Sequence, residues 1–582
     1  MKFNNLLFKI CLVGFISFTT FSCDDDFLET QALSEVSSEA VFNSPELADA
    51  AVRDLYQGTW AGPLSSTITT DAFTDHAFHT YADYGAPPMV DGSLNPEFNF
   101  GQLAYAVSPI NYIDWESLYP FIRGSNLAIN ALTANEAGLS ESEVNKLLGE
   151  SYFMRAYFYS QLVRNYGGVV LTLDPLVLDS EPLDRSSFED SIKQIVSDLD
   201  MAINLLGDSN AGNKARATKL AALALKSRIL THAASDLFNP SKNSVVSTLS
   251  SFQNKELVSY TTDATNARWE AAKAASKAFL DVATGYNLDL TTPASIEDAK
   301  QNYLDLSLQG ELNPDFLWGR IFKEFGYDSR TYKTGRPEDY GWYDPGFFAL
   351  LQGPNGYNQW AVNSVPYDQF NEIQTGEYTF NDGTVKFGVD TNKGQNPGSS
   401  SLTHYWYNKF TDPDTPTGYL SDNQFISAPY LRHTEVLLNY VEANLNLGNE
   451  QEAKSWLNKL RYRNGLPAVT ESGAALVELY KRERDKELVN EDSRFFDMRR
   501  WLEGPYSLNK QAQRVEVKGV QKPGSTMTPS TYRKSSSDFD YTYEPKDIIR
   551  ETRVWRDKKY FSPIPQTEIN KAPNLIQNPG YN

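Results

Sequence analysis

Two segments set flat rings beside hydrogen-bonding side chains. One is Arg336-Pro337-Glu338-Asp339-Tyr340-Gly341-Trp342-Tyr343-Asp344-Pro345, the other Gly356-Tyr357-Asn358-Gln359-Trp360. Neutral sugars carry apolar C–H faces and hydroxyl edges, so a ring can stack on the face while Asn, Asp, Gln or Arg bonds the edge. A stiff aromatic platform loses little side-chain entropy on binding, which suits long repeating chains. On this chemistry Tyr340, Trp342, Trp360 and Trp318 are candidate stacking rings, and Asp339 and Asn358 candidate hydroxyl partners. The competing reading is that most rings are core, because Trp and Tyr bury large areas wherever they sit. Trp115, Trp269, Trp456 and Trp501 lie on helical stripes and read as packing.

Signals for other chemistry are weak. The chain has no H-E-x-x-H, no G-x-S-x-G and no phosphate loop, so it does not read as an enzyme. His76 and His79 have ligand spacing but no third partner. Asp412-Pro413-Asp414-Thr415 lacks the full spacing of a calcium loop. No metal and no cofactor is therefore expected. Carboxylates number 74 against 53 basic side chains, a net charge of -21. That balance argues against nucleic acid, whose binders need a basic face to displace counterions, and makes a polyanionic glycan a poor partner.

The candidate rings sit in a distinctive stretch. Residues 310–425 hold 24 aromatics, many Gly, Pro and Asn, and no sustained periodicity. A loop region of that length inside a folded chain is uncommon unless it is functional. Helical patterns flank it. Ser44 then Pro45 reads as an N-cap with proline at the first helical position. Trp115, Leu118, Ile122, Asn126 and Ile129 form one stripe, with Pro120 a candidate kink. Ser140 and Glu143 make a capping box for a helix that Gly167-Gly168 ends. Ser187, Thr218 and the Trp269–Ala283 stripe open or carry three more. Helices resume over 430–503, where 476–501 reads as one long charged helix. The chain thus divides into 44–300 helical, 301–429 loop-rich, 430–503 helical and 504–582 a loop-rich tail. The hairpins separated by Gly turns resemble tetratricopeptide-type pairs.

The first 22 residues read as an address. A basic start is followed by an apolar run from Ile10 to Phe21, shorter than the roughly 20 residues that span a bilayer. Cys23 follows, one of only two cysteines, so neither a disulfide framework nor a thiolate zinc site is available to the body of the chain. The expectation is a lipoprotein signal, 1–22, cut before a lipidated Cys23, although Thr20-Phe21-Ser22 departs from the usual lipobox. Residues 23–43, opening Asp24-Asp25-Asp26, then form an acidic tether.

Several blocks together resemble the RagB/SusD family of surface nutrient-binding lipoproteins. Leu431-Arg432, Glu435, Leu437-Leu438, Tyr440 and Glu442-Ala443 are similar to the family's L-R-x-x-E-x-L-L-x-Y-x-E-A helix. Arg484, Glu487-Leu488, Arg494, Asp497 and Arg499-Arg500-Trp501 are similar to a second block, and Arg155-Ala156 through Tyr166-Gly167 to a third. In the third, Val169-Val170-Leu171 stands where the family usually has Val-Pro-Leu. Ile564-Pro565 and Asn578-Pro579-Gly580-Tyr581 fit the family's end.

The resemblance implies a mostly α fold, with tetratricopeptide-like hairpins supporting a loop-rich, aromatic-rich half. It implies a lipid-anchored position on the cell surface at the outer membrane. It implies capture of an oligo- or polysaccharide for a SusC-type TonB-dependent transporter, without catalysis. It also adds the loop His79-Thr80-Tyr81-Ala82-Asp83-Tyr84-Gly85, with Tyr81 and Tyr84 as ring candidates. The polar residues of the matched helices, Arg432, Glu435, Glu442, Arg482, Glu487, Arg494 and Asp497, are expected to pair between helices rather than meet ligand. Two other readings stand beside this one: a lipoprotein that binds peptide or protein on helix faces, and a lipid-anchored glycoside hydrolase.

Overall fold

The computed structural model describes residues 41–59, 70–79, 87–100, 111–175, 183–207, 212–321, 375–389, 427–531, 537–547 and 552–581. Single or paired positions inside these blocks are excepted, and the strand fragments 343–344, 370–372 and 405–407 are added. The fold is mostly α, as expected.

Local signals set the helix starts. In α1 (Pro45–Asp54) the Ser44 side chain accepts from the Leu47 N–H, and Pro45 occupies the first position, where no N–H is needed. Helix α2 (Trp115–Ala134) starts at Asp114 and runs through Pro120 without interruption. Helix α3 (Glu141–Tyr166) carries the full Ser140–Glu143 capping box. It stops at Gly167, whose φ of +81° a side chain rarely adopts. A Cβ there would also lie 2.5 Å from the Leu257 carbonyl oxygen. Ser187 caps α4 (Phe188–Leu206) and Thr218 caps α5 (Lys219–Ala234). Helix α6 spans Thr265–Leu280.

Helices α2 to α6 stack in sequence order, each on the next. The array does not end at the aromatic-rich stretch. Helix α7 (His433–Asn446) packs on both α6 and α5, then carries α8 (Glu450–Arg463) and α9 (Ala474–Glu487). Two blocks far apart in sequence therefore make one scaffold. Trp115, Trp269 and Trp501 are buried packing residues, and Trp456 lies against the same core.

One expectation fails. Residues 476–501 are not a single helix: α9 ends at Glu487 and α10 (Arg494–Arg500) begins after a turn. Asp492 has φ +58° in that turn, and its carboxylate accepts from Tyr112 Oη at 2.7 Å and from the Thr70 hydroxyl. These long-range bonds overcome the helical preference of the local sequence.

Strand β1 (Phe316–Ile321) pairs antiparallel with β4 (Ser427–Arg432), which closes the base of the aromatic-rich stretch. Gly319 is required there, since a Cβ would sit 2.1 Å from the Ala428 carbonyl oxygen. Strands β2 (Thr375–Thr379) and β3 (Val385–Val389) join β5 (Gln513–Gln521) and β6 (Phe539–Asp547) in the order β6-β5-β2-β3. Only the β2–β5 contact of that sheet is parallel. The C-terminal segment ends as a buried clamp. Asn578 Nδ2 donates to the carbonyls of Tyr166 at 3.0 Å and Ser562 at 2.7 Å, and Arg185 bonds Asn578 Oδ1 at 3.0 Å.

Candidate functional site

The segment that precedes the early aromatic stretch in sequence is held by charge. Asp75 receives Nε and Nη2 of Arg494 at 2.8 and 3.1 Å and the Ser507 hydroxyl at 2.8 Å. Burial opposes the charge on Asp75, but Arg494 beside it holds the carboxyl well below the usual carboxylate range. Next to it, His76 Nε2 meets Asp485 at 2.6 Å, while Nδ1 lies 3.4 Å from Asp71. Burial favours the neutral imidazole, yet Asp485 and Asp71 overcome it and raise the pKa to about 10. The Arg553 guanidinium fixes the Thr74 carbonyl from the C-terminal side. Three successive residues, 74 to 76, are thus fixed just before a short strand fragment.

In that fragment Phe78–His79 pairs antiparallel with Tyr343–Asp344, Phe78 opposite Asp344 and His79 opposite Tyr343. His79 opens the early aromatic segment and Tyr343 comes directly after Trp342 in sequence. The backbone therefore brings the flanks of two candidate ring clusters, more than 260 positions apart in sequence, to one place. A second bridge pairs Phe370–Glu372 with Tyr405–Tyr407, placing Asn371 opposite Trp406. Sequence reasoning did not single out either bridge, because two- and three-residue pairings leave no periodicity.

Tyr81, Tyr84, Asp339, Tyr340, Trp342, Asn358, Trp360 and Cys23 lie outside the described residues. Trp318 is described, and it corrects an expectation. Its side chain is 0% exposed. Edge contacts surround it, with centroids 4.8 Å from Phe153, 5.1 Å from Tyr157 and 5.0 Å from Tyr430. A ring enclosed on those sides is core, so Trp318 leaves the set of stacking candidates.

The paired charges fall between helices largely as expected. Arg432 bonds Asp315, Glu487 and Glu491 at 2.6, 3.1 and 2.6 Å. Arg500 bonds Glu442 and Asp497 at 2.5 and 2.7 Å, and Arg228 meets Glu435 at 2.5 Å. Arg482 is the exception: it is exposed, and Arg484 instead reaches Asp497 at 2.8 Å. His76 is likewise committed to carboxylates. Among the described residues no group of three or more His, Cys, Asp or Glu is placed to hold a metal ion.

The comparisons with known proteins agree with this frame. The SusD family pattern matches residues 319–581, and the family described as starch-binding and associating with the outer membrane matches 26–230. The chain belongs to the SusD/RagB family. It is similar to SusD-like protein P25 of Formosa agariphila, 25% identical over 232 residues, covering 39% of this chain and 43% of that one. A SusD-like protein of Bacteroides ovatus is 25% identical over 38% of each chain. The stretch matched thus spans less than half the length of these curated relatives. Among solved structures, a SusD-like protein of Bacteroides fragilis superposes with a TM-score of 0.68 at 22% identity, covering 95% of this chain and 100% of that one. At such identity the likeness establishes the fold.

Proposed function

We propose that this chain is a glycan-binding lipoprotein of the outer-membrane surface, which captures a neutral oligo- or polysaccharide and delivers it to a SusC-type TonB-dependent transporter. It binds and does not cleave. The observation that carries this reading is the backbone bridge between Phe78–His79 and Tyr343–Asp344, which gathers the flanks of two aromatic segments on a rigid helical scaffold. Rings gathered on a fixed base can stack on several sugar units at once, each stack being worth about 1–3 kcal/mol on the scale of base–aromatic stacking. Family membership supports the reading, as do a second B. fragilis structure described as a SusD-like carbohydrate-binding protein (TM-score 0.60, 20% identity, 92% of this chain and 100% of that one) and the outer-membrane association in the family description. The net charge of -21 favours a neutral polymer over a uronate or a sulfated one.

In this reading Tyr81, Tyr84, Tyr340, Trp342 and Trp360 stack on the ligand, Asp339 and Asn358 bond hydroxyls, and Cys23 carries the lipid. The test is a panel of neutral polysaccharides run in affinity gels and by calorimetry, with a reducing-end assay alongside. Retardation without new reducing ends is expected. Steady release of reducing ends would reject the reading in favour of a hydrolase.

A peptide-binding reading also has an observation behind it. A cleft of about 480 Å3 lies between the α4–α5 turn, the end of α6 and residues 312–317, lined by Val282, Phe316, Leu317 and His433. Leu312 stands 82% exposed at its edge. Apolar peptides in the same calorimetric panel test it, and heat from peptides alone would favour it over the glycan.

A further inference from the structure

Residues of α3, α5, α7, α9 and α10 and of the connection between α9 and α10 line a cavity of about 20 Å3, room for one small occupant. Four arginines line it, Arg164, Arg228, Arg484 and Arg500. Its carboxylates already accept strong bonds. Glu435 accepts from Arg228, and Asp497 from Arg484, Arg500 and Ser493. Asp492 accepts from Tyr112 and Thr70.

Arg164 differs from the other three. Nη1 donates to the neutral Gln161 Oε1 at 2.8 Å, and the guanidinium lies 3.5 Å from the centroid of the Phe496 ring. Among the described residues, no carboxylate forms a salt bridge with it, and its Nε has no hydrogen-bond partner. The same holds for Thr231 Oγ1 and His232 Nε2, which also lack a hydrogen-bond partner among those residues. All three residues line the cavity and are more than nine-tenths buried, at 8%, 1% and 4% exposure.

Buried polar atoms in native proteins are nearly always satisfied, and a buried cation needs a counter-charge. Arg164 Nε–H can only donate, the Thr231 hydroxyl can donate, and a neutral imidazole offers an N–H at Nε2 in one of its two tautomers. We infer that this cavity is a binding site for one monatomic anion of the halide class, held by Arg164, Thr231 and His232 between α3 and α5.

The electrostatics point the same way. Burial and then the neighbouring Arg228 lower Arg164 to about 10. Burial, then Arg164 and Arg500, hold His232 well below the ordinary histidine value, so it is neutral. At Arg164 the carboxylates of Asp492, Glu435 and Asp497 oppose Arg228, but His232 senses excess positive charge, which an anion relieves and a cation would worsen. An occupant bonded to two helices at once clamps α3 against α5, and it stabilises the folded chain in proportion to the logarithm of its concentration once the site fills.

The test uses the full chain without its leader. Crystals soaked in bromide are measured at the bromine absorption edge, and an anomalous peak beside Arg164 Nε, Thr231 Oγ1 and His232 Nε2 is expected. In parallel, the unfolding midpoint is measured in chloride and in gluconate at equal ionic strength. It should rise with chloride in the wild type, and Thr231→Val should flatten that rise. Absence of the peak, with density refining as water alone, overturns the inference, as do equal midpoints in the two salts.

Discussion

Arg494 and Asp75 form a two-bond ion pair across 419 positions of chain, with Nε and Nη2 at 2.8 and 3.1 Å from the two carboxylate oxygens. Both side chains are buried. The pair joins the first residue of α10 to the segment that enters the Phe78–His79 bridge, so scaffold and candidate binding face meet there.

Removing one partner leaves the other charge buried and uncompensated. Arg494→Met is expected to cost about 3–5 kcal/mol of stability, the usual scale for breaking a buried pair from one side. Adding Asp75→Asn should return part of that loss. Urea unfolding of the wild type, both singles and the double gives the coupling directly. Additive losses would show that the pair does not act as a unit.

The neighbouring histidine gives a pH signature. The folded-state pKa of His76 is raised from the ordinary 6.5 to about 10 by Asp485 and Asp71, against burial. A raised pKa means the folded chain holds the proton more tightly than the unfolded one. Its contribution is therefore complete below about pH 6.5 and declines as pH rises towards 10. His76→Gln should flatten the fall in unfolding free energy over that interval. Parallel curves for wild type and variant between pH 6.5 and 10 would contradict the assignment.

Much of the scaffold is legible because its determinants are local. Ser44, Ser140 with Glu143, Ser187 and Thr218 cap helices through residues three positions away, so their effect can be read from a short window. The break after Glu487 is not legible in that way. Its cause is Asp492 bonding Tyr112 and Thr70, which are 380 and 422 positions distant, while the local run of Arg, Glu and Asp is compatible with continued helix. Trp318 misleads for a similar reason. Composition places it in an aromatic-rich loop, but pairing of β1 with β4 carries it against Phe153 and Tyr157 of α3. Arg482 and Arg484 differ only in which side of α9 they occupy, and the periodicity of a charged helix does not say which side is buried. The bridge at Phe78–His79 is too short to leave a pattern, so the pairing of the backbone that flanks the two ring segments emerges only in three dimensions.

Trp318 and Trp342 should separate under the same substitution. Trp318→Ala removes a fully buried indole and should cost about 3–5 kcal/mol of stability. Trp342→Ala should leave the unfolding midpoint close to wild type and weaken glycan binding by about 1–3 kcal/mol. Calorimetric titration with the best polysaccharide of the panel, run beside thermal unfolding, distinguishes the two effects. Unchanged affinity in both Trp342→Ala and Trp360→Ala would remove these rings from the binding face.

In the proposed reading, attachment to the membrane rests on a single sulfur, that of Cys23. A thioether-linked diacylglycerol and an acylated amine at Cys23 would bury several chains at about 0.8 kcal/mol per CH2, whereas one chain alone gives only reversible binding. The Asp24-Asp25-Asp26 run adds no affinity for an anionic lipid surface, and the net charge of -21 opposes it. No helix among the described residues is long and apolar enough to cross a membrane. On that reading the lipid supplies the attachment. Cys23→Ala is expected to move the protein from the membrane pellet to the supernatant in high-salt fractionation, and metabolic labelling with a clickable palmitate analogue should mark the wild type only. A variant that still sediments with membranes after a salt wash would show that the anchor lies elsewhere.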